Sequence, residues 1–259
     1  MNMNRSVRAA VVLAVAMIAV AGCSSDKKSN ASSGGVSGTI TVFAAASLTG
    51  TFTQLGQQFQ TAHPGTTVKF NFGGSSALAE QINSGAPGDV FASAAPKNMS
   101  TVTDKGNAGT PVDFATNKLE IAVPPANPAG VSALADLAKS SVKVALCQAQ
   151  VPCGAAAVTV FGKNHLTVTP VTEEQDVKSV LSKVELGEVD AGVVYVTDVE
   201  AAGSKVKGIP VPDAQNTVTE YPIATLKGSK NAATAQAFLQ FVTSAAGQGV
   251  LQSAGFGKP

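Results

Sequence analysis

The chain predicts an α/β fold with largely parallel sheets, and two observations carry that reading. β-branched runs alternate with amphipathic runs almost throughout, which is the pattern of strand–helix units. Two of the strand-like runs also end in small residues followed by a serine at the start of a helical pattern: Ile40-Thr41-Val42-Phe43-Ala44-Ala45-Ala46-Ser47-Leu48 and Phe70-Asn71-Phe72-Gly73-Gly74-Ser75-Ser76. In parallel α/β sheets the strand C-termini line one edge, and ligands bind there.

The elements follow in order. Strands are predicted over 39–44, 67–72, 89–93, 118–123, 142–146, 167–171, 190–196, 206–211 and 218–226. Helices are predicted over 48–62, 76–84, 96–105, 132–138, 154–164, 175–186 and 231–246, with a shorter one over 247–253. Leu48, Phe52, Leu55 and Phe59 recur every three or four residues, one face of a helix. Pro96 suits a first helical turn, and Gly85, Gly106 and Gly187 fall where a C′ glycine is expected. Val177, Val180, Leu181 and Val184 form a stripe that reads as core. Pro124-Pro125-Ala126-Asn127-Pro128 breaks the alternation midway, and Thr219-Glu220-Tyr221-Pro222 is a second place where the chain can cross between lobes. Two crossings make the first lobe discontinuous.

The N-terminus reads as an export signal. Arg5 and Arg8 form a basic region, Ala9 to Val20 is apolar but too short to span a bilayer comfortably, and Val20-Ala21-Gly22-Cys23 follows. Small residues before a cysteine resemble a bacterial lipoprotein signal, which makes Cys23 the lipidated residue. Ser24 to Gly38 is polar and should act as a flexible tether, reaching on the order of 20 Å. Both arginines lie in the signal, so 18 basic residues become 16 lysines against 17 acids, a formal net charge of −1. With no basic run and no interleaved aromatics, nucleic acid is not an expected partner.

Cys147 and Cys153 remain, six apart. Export permits a disulfide and the even count supports one. Zinc is the alternative, but His63 and His165 are isolated and supply no ligand pair.

Several segments could carry chemistry. Ser47 reads first as the N-cap of its own helix, while its hydroxyl and the free N–H groups of the helix start also suit an anion. Ser75 has the same ambiguity, with glycines that let backbone approach a ligand. Cys153 sits between Pro152 and Gly154 at a helix start, so its N–H is a candidate donor or only part of a stapled turn. Val177 follows the acids Glu173, Glu174 and Asp176, which favour a helix dipole by themselves. Tyr195 ends a buried strand and its hydroxyl needs a partner.

Phe43-Ala44-Ala45-Ala46-Ser47-Leu48, Gly74-Ser75-Ser76, Gly85-Ala86-Pro87-Gly88-Asp89-Val90-Phe91 and Gly192-Val193-Val194-Tyr195, in that order, resemble the molybdate-binding proteins of ABC importers. The resemblance runs from Thr39 to Phe256. It implies a two-lobed periplasmic-binding-protein fold of type II, with a ligand cleft between lobes spanning 39–120, 121–218 and a return segment 219–259. It implies five ligand positions: hydroxyl and N–H from Ser47 and Ser75, N–H from Cys153 and Val177, and the phenol of Tyr195. It also implies molybdate or tungstate as ligand, no cofactor, no direct protein–metal ligand, a membrane permease as partner, a monomer, and a site of action outside the cell membrane. The third position is commonly alanine in that family, and a backbone donor survives the change to cysteine.

The chemistry agrees. A tetrahedral dianion without protons needs donors only, and the exported chain has no arginine to clamp it. Sulfate has the same shape and charge, so the same fold binding sulfate is the alternative. A secreted serine or cysteine hydrolase is a remote one: the chain lacks Gly-x-Ser-x-Gly, and neither histidine has an evident acid partner.

Overall fold

A computed structural model describes residues 35–259. The signal segment 1–22 and Cys23 lie outside the described residues. In chain order the elements are β1 (Gly38–Ala45), a 3-10 turn (Ala46–Leu48), α1 (Thr49–Ala62), β2 (Thr66–Gly73), α2 (Ser75–Asn83), β3 (Val90–Ala92), α3 (Pro96–Thr103) and β4 (Val112–Val123). A 3-10 turn (Leu134–Ala138) leads to β5 (Val144–Cys147), α4 (Pro152–Lys163), β6 (Thr172–Glu174), α5 (Val177–Glu185), β7 (Ala191–Tyr195), α6 (Val196–Ala202) and β8 (Lys207–Pro210). β9 (Val218–Thr225), α7 (Ala232–Thr243) and α8 (Ala245–Ser253) complete the chain.

The strands run β2-β1-β3-β9-β4-β7-β5-β6, with β8 also on β4. β4 joins the two parts of this path. Val112 to Lys118 pairs with β9, and Leu119 to Val123 with β7 and β8. The core divides at the same place. One buried apolar cluster draws on residues 119–211 together with Ala46, and the other two on residues between 40 and 115 and between 221 and 256.

The sheets are mixed rather than largely parallel. β1 with β2 and β3, and β5 with β6 and β7, are parallel, whereas β3–β9 and every pairing of β4 are antiparallel. Alternation of strands and helices says nothing about a long strand such as β4 that serves both parts, and its first residues, Val112 to Asn117, read as loop.

Other boundaries moved for local reasons. The strand expected over 167–171 lies instead at Thr172–Glu174, because Pro170 has no N–H to give a ladder and pairing with β5 begins only at Thr172. The segment 132–138 closes only a 3-10 turn. α6 was not expected, since Val193-Val194-Tyr195-Val196 continues a strand pattern; Asp198 stops the strand by accepting the Tyr195 N–H (3.1 Å). The helix expected over 231–246 breaks at Ser244, whose extended backbone and Oγ, accepting from the Gly247 N–H at 3.2 Å, open α8. The expected tether ends before Gly38: Val36 packs against the core, and the Thr234 hydroxyl binds both the N–H (3.0 Å) and the carbonyl (2.7 Å) of Ser37. Among the described residues no helix is long and apolar enough to cross a membrane.

Candidate functional site

Ser47, Ser75, Cys153, Val177 and Tyr195 all line one small cavity of about 10 Å³. That is about the room of one water molecule, so a larger ligand requires the two sides of the cavity to part. The residues reach it from both parts of the core, each at the C-terminal end of a strand or the first turn of the helix that follows.

Ser47 does not cap α1. The chain leaves β1 through a 3-10 turn, so the N-cap position falls on Leu48 and Ser47 is swung inward. There its Oγ lies 3.0 Å from the Tyr221 Oη. Ser75 is the first residue of α2, one past the cap position, and is buried. Its Oγ accepts the N–H of Ala94 at 3.0 Å, which leaves the hydroxyl proton free to be donated into the cavity. The expected serine caps are therefore replaced by two serines aimed at the same space.

Cys153 is the second residue of α4, behind Pro152, and is bridged to Cys147 at the end of β5 with a Cα–Cα distance of 5.7 Å. The loop between them is tight: a Cβ on Gly154 would lie 2.1 Å from the Gln148 carbonyl oxygen. Val177 opens α5, and Asp176 caps it by accepting the Ser179 N–H at 2.9 Å. First-turn N–H groups have no partner within their own helix. The first residues of α2, α4 and α5, Ser75, Cys153 and Val177 among them, line the cavity together, and helix dipoles add partial positive charge.

Tyr195 ends β7, fully buried, and among the described residues no group meets its Oη in hydrogen-bonding geometry, its neighbour there being the Tyr221 ring with centroids at 6.0 Å. Burial pushes this phenol well above the ordinary tyrosine value, with Tyr221 and the Asp198 carboxylate adding to the effect. The hydroxyl stays protonated and remains a donor. Asp198 is fully buried too. Burial raises its pKa, while the Lys178 ammonium at 2.8 Å opposes that. Asp176, a carboxylate, does line the cavity, which charge reasoning excludes for an anion site. Its two oxygens are turned to the N–H and the hydroxyl of Ser179.

A family model of the bacterial extracellular solute-binding proteins matches residues 40–257. The chain belongs to that family. As a solute-binding protein it is 41% identical over 252 residues to the molybdate-binding protein ModA of Mycobacterium tuberculosis, covering 96% of this chain and 97% of the relative. Among solved structures, the periplasmic molybdate-binding protein of Azotobacter vinelandii matches with a TM-score of 0.75 at 24% identity, covering 85% of this chain and 99% of that one. The sulfate-binding protein SubI of M. tuberculosis matches with a TM-score of 0.66 at 18% identity, over 84% and 86% of the two chains. Both structures carry the same message about architecture: the solute-binding protein has the two-lobed periplasmic-binding-protein fold, with its cleft between lobes.

Sequence reasoning missed three parts of this site. Tyr221 reads only as part of a crossing segment, Asp198 only as a residue after a strand, and the Ala94 N–H carries no signal at all. Tyr221-Pro222 at a crossing was the one available hint.

Proposed function

We propose that this protein captures molybdate, and tungstate with it, between its two lobes and delivers the ion to an ABC permease in the membrane. The observation that carries the reading is the Tyr195 hydroxyl: a buried donor without a hydrogen-bond partner among the described residues, in a cavity that it shares with two serines and three helix N-termini. No lysine or histidine lines that cavity. Such a set suits an ion that only accepts hydrogen bonds.

Hydrogen bonds to charged groups contribute roughly 1.5–3 kcal/mol each. About seven of them exceed the roughly 8 kcal/mol of a micromolar complex, leaving a margin for ordering the lobes. Phosphate, protonated near neutral pH, needs an acceptor, and the one carboxylate that lines the cavity, Asp176, is turned to Ser179. Sulfate is the second reading, supported by the shared fold of SubI; selection between the two ions then rests on cavity size.

In this reading Ser47, Ser75, Cys153, Val177 and Tyr195 hold the ion, lobe I spans 39–120 and 219–259, and lobe II spans 121–218. The protein is a binder and not an enzyme, works as a monomer without a cofactor, and is held at the outer face of the cell membrane through lipid on Cys23. Calorimetric titration with molybdate, tungstate, sulfate and phosphate tests the core of it. Micromolar or tighter binding of molybdate is expected; binding of sulfate without molybdate would overturn it. Release of the protein from membranes by Cys23→Ala tests the anchor.

A further inference from the structure

Tyr221 does not line the cavity, yet it is the sole side chain hydrogen-bonded to Ser47 among the described residues. Its ring is fully buried and held edge-on by three neighbours: Tyr195 with centroids at 6.0 Å, Phe114 at 6.3 Å and Phe256 at 5.5 Å. It stands on β9 opposite Ala115 of β4, beside the irregularity between Asp113 and Ala115.

The Ser47–Tyr221 contact can run in either direction, and the direction decides what Ser47 can do. If Ser47 donates to Tyr221, its only proton is spent inside the protein. If Tyr221 donates to Ser47, the serine proton is released toward the cavity. The tyrosine has a proton to give, because burial holds its phenol above the ordinary value. Of the other groups near it, the Tyr195 Oη makes no hydrogen bond among the described residues, and the Asn117 side chain is engaged elsewhere. The Asn117 Oδ1 already accepts the Lys118 N–H at 2.9 Å, and the Asn117 Nδ2 donates to Thr197 at 2.9 Å.

Resting on the oxyanion reading above, we propose that Tyr221 is a positioning residue: its hydroxyl donates to the Ser47 Oγ and so fixes the serine as a donor to the bound anion. The chain Tyr221 O–H to Ser47 O–H to anion is polarised along its length, each bond strengthening the next. It also ties the binding site to the strand pair that joins the two parts of the core.

A double-mutant cycle tests this, with sodium molybdate titrated into the wild type, Tyr221→Phe, Ser47→Ala and the double variant. Tyr221→Phe should weaken binding roughly tenfold when Ser47 is present, and less than about twofold in the Ser47→Ala background. An equal loss in both backgrounds means that the tyrosine acts only through packing, and overturns the proposal. If Tyr221→Phe does not fold, the ζ carbons of the two tyrosines are followed by NMR in the wild type. Both should shift on adding molybdate, with Tyr195→Phe assigning the pair; a shift confined to Tyr195 overturns the relay. A wild type that binds molybdate while the cycle is additive defeats the relay alone. A wild type that binds no oxyanion defeats the underlying reading as well.

Discussion

The backbone of Gly74 lies directly against the carbonyl oxygen of Gln175: a Cβ on Gly74 would sit 2.2 Å from it. Gly74 precedes α2 and Gln175 precedes α5, so the contact joins the two helix starts that present Ser75 and Val177. The backbone of Gly74 (φ −63°, ψ 133°) is open to any residue. Glycine is needed there for room and not for conformation. Gly74→Ala should therefore fold normally on its own, yet hold the two helix starts apart and weaken molybdate binding at least roughly tenfold, about 1.4 kcal/mol. Calorimetry with the unfolding curve of the free variant checks both halves. Wild-type affinity in Gly74→Ala would show that the two helix starts need not meet.

Much of this molecule was legible in its sequence, and the illegible part has a common cause. Helices with a strong stripe, such as α1 and α5, were placed within two residues at either end, because a periodic apolar face records its own burial. The five positions that line the cavity carry local signals that stay ambiguous between cap, core and ligand, and the resemblance to the molybdate-binding family is what selects them as a set. What failed were relationships between distant segments. Ser47 was read as a cap because its neighbours in sequence suggested one, whereas its partner is Tyr221, 174 residues away. The Ser75–Ala94 bond and the antiparallel pairings of β4 are likewise set by tertiary packing and leave no mark in the local pattern.

Tyr195→Phe should move binding and stability in opposite directions. Binding loses one hydrogen bond to a charged group, roughly 1.5–3 kcal/mol, which is about 10- to 150-fold in affinity. The free protein loses a buried hydroxyl that has no partner in the fold, so it should gain on the order of 1 kcal/mol. A thermal melt without ligand reads the gain, and titration with molybdate reads the loss. A variant that is both weaker in binding and less stable would mean that the hydroxyl has a structural partner after all.

Alkaline titration offers a spectroscopic test, because the chain has only two tyrosines. Burial raises the pKa of both Tyr195 and Tyr221 above 10 in the fold. Below pH 10 neither state has lost the proton, and stability is unaffected. Above pH 10 the unfolded chain releases these protons while the native chain keeps them, so stability falls as pH rises. The slope is about 1.4 kcal/mol per pH unit for each tyrosine. Tyrosinate absorbance should stay silent through pH 10 and then appear together with loss of helical circular dichroism. A smooth titration near pH 10 in the folded protein would contradict the burial of both phenols.

The Cys147–Cys153 bridge gives the last test, since it fastens the end of β5 to the first turn of α4, where Cys153 lines the cavity. A loop of this length, closed by a disulfide, contributes about 2 kcal/mol by restricting the unfolded chain. Cys147→Ala/Cys153→Ala should lower the melting temperature accordingly. The effect on binding follows from order in the loop and not from the sulfur, because the donor is backbone. Without the bridge, part of the binding free energy goes into fixing residues 148–153, and affinity should fall several-fold. Asp176, capping α5, is untouched by the change, so that helix start survives. Hydrogen exchange over residues 148–153 with and without molybdate separates the two contributions: exchange should quicken in the free variant and slow again on binding. Unchanged affinity with unchanged exchange would leave the bridge as a staple for the fold alone.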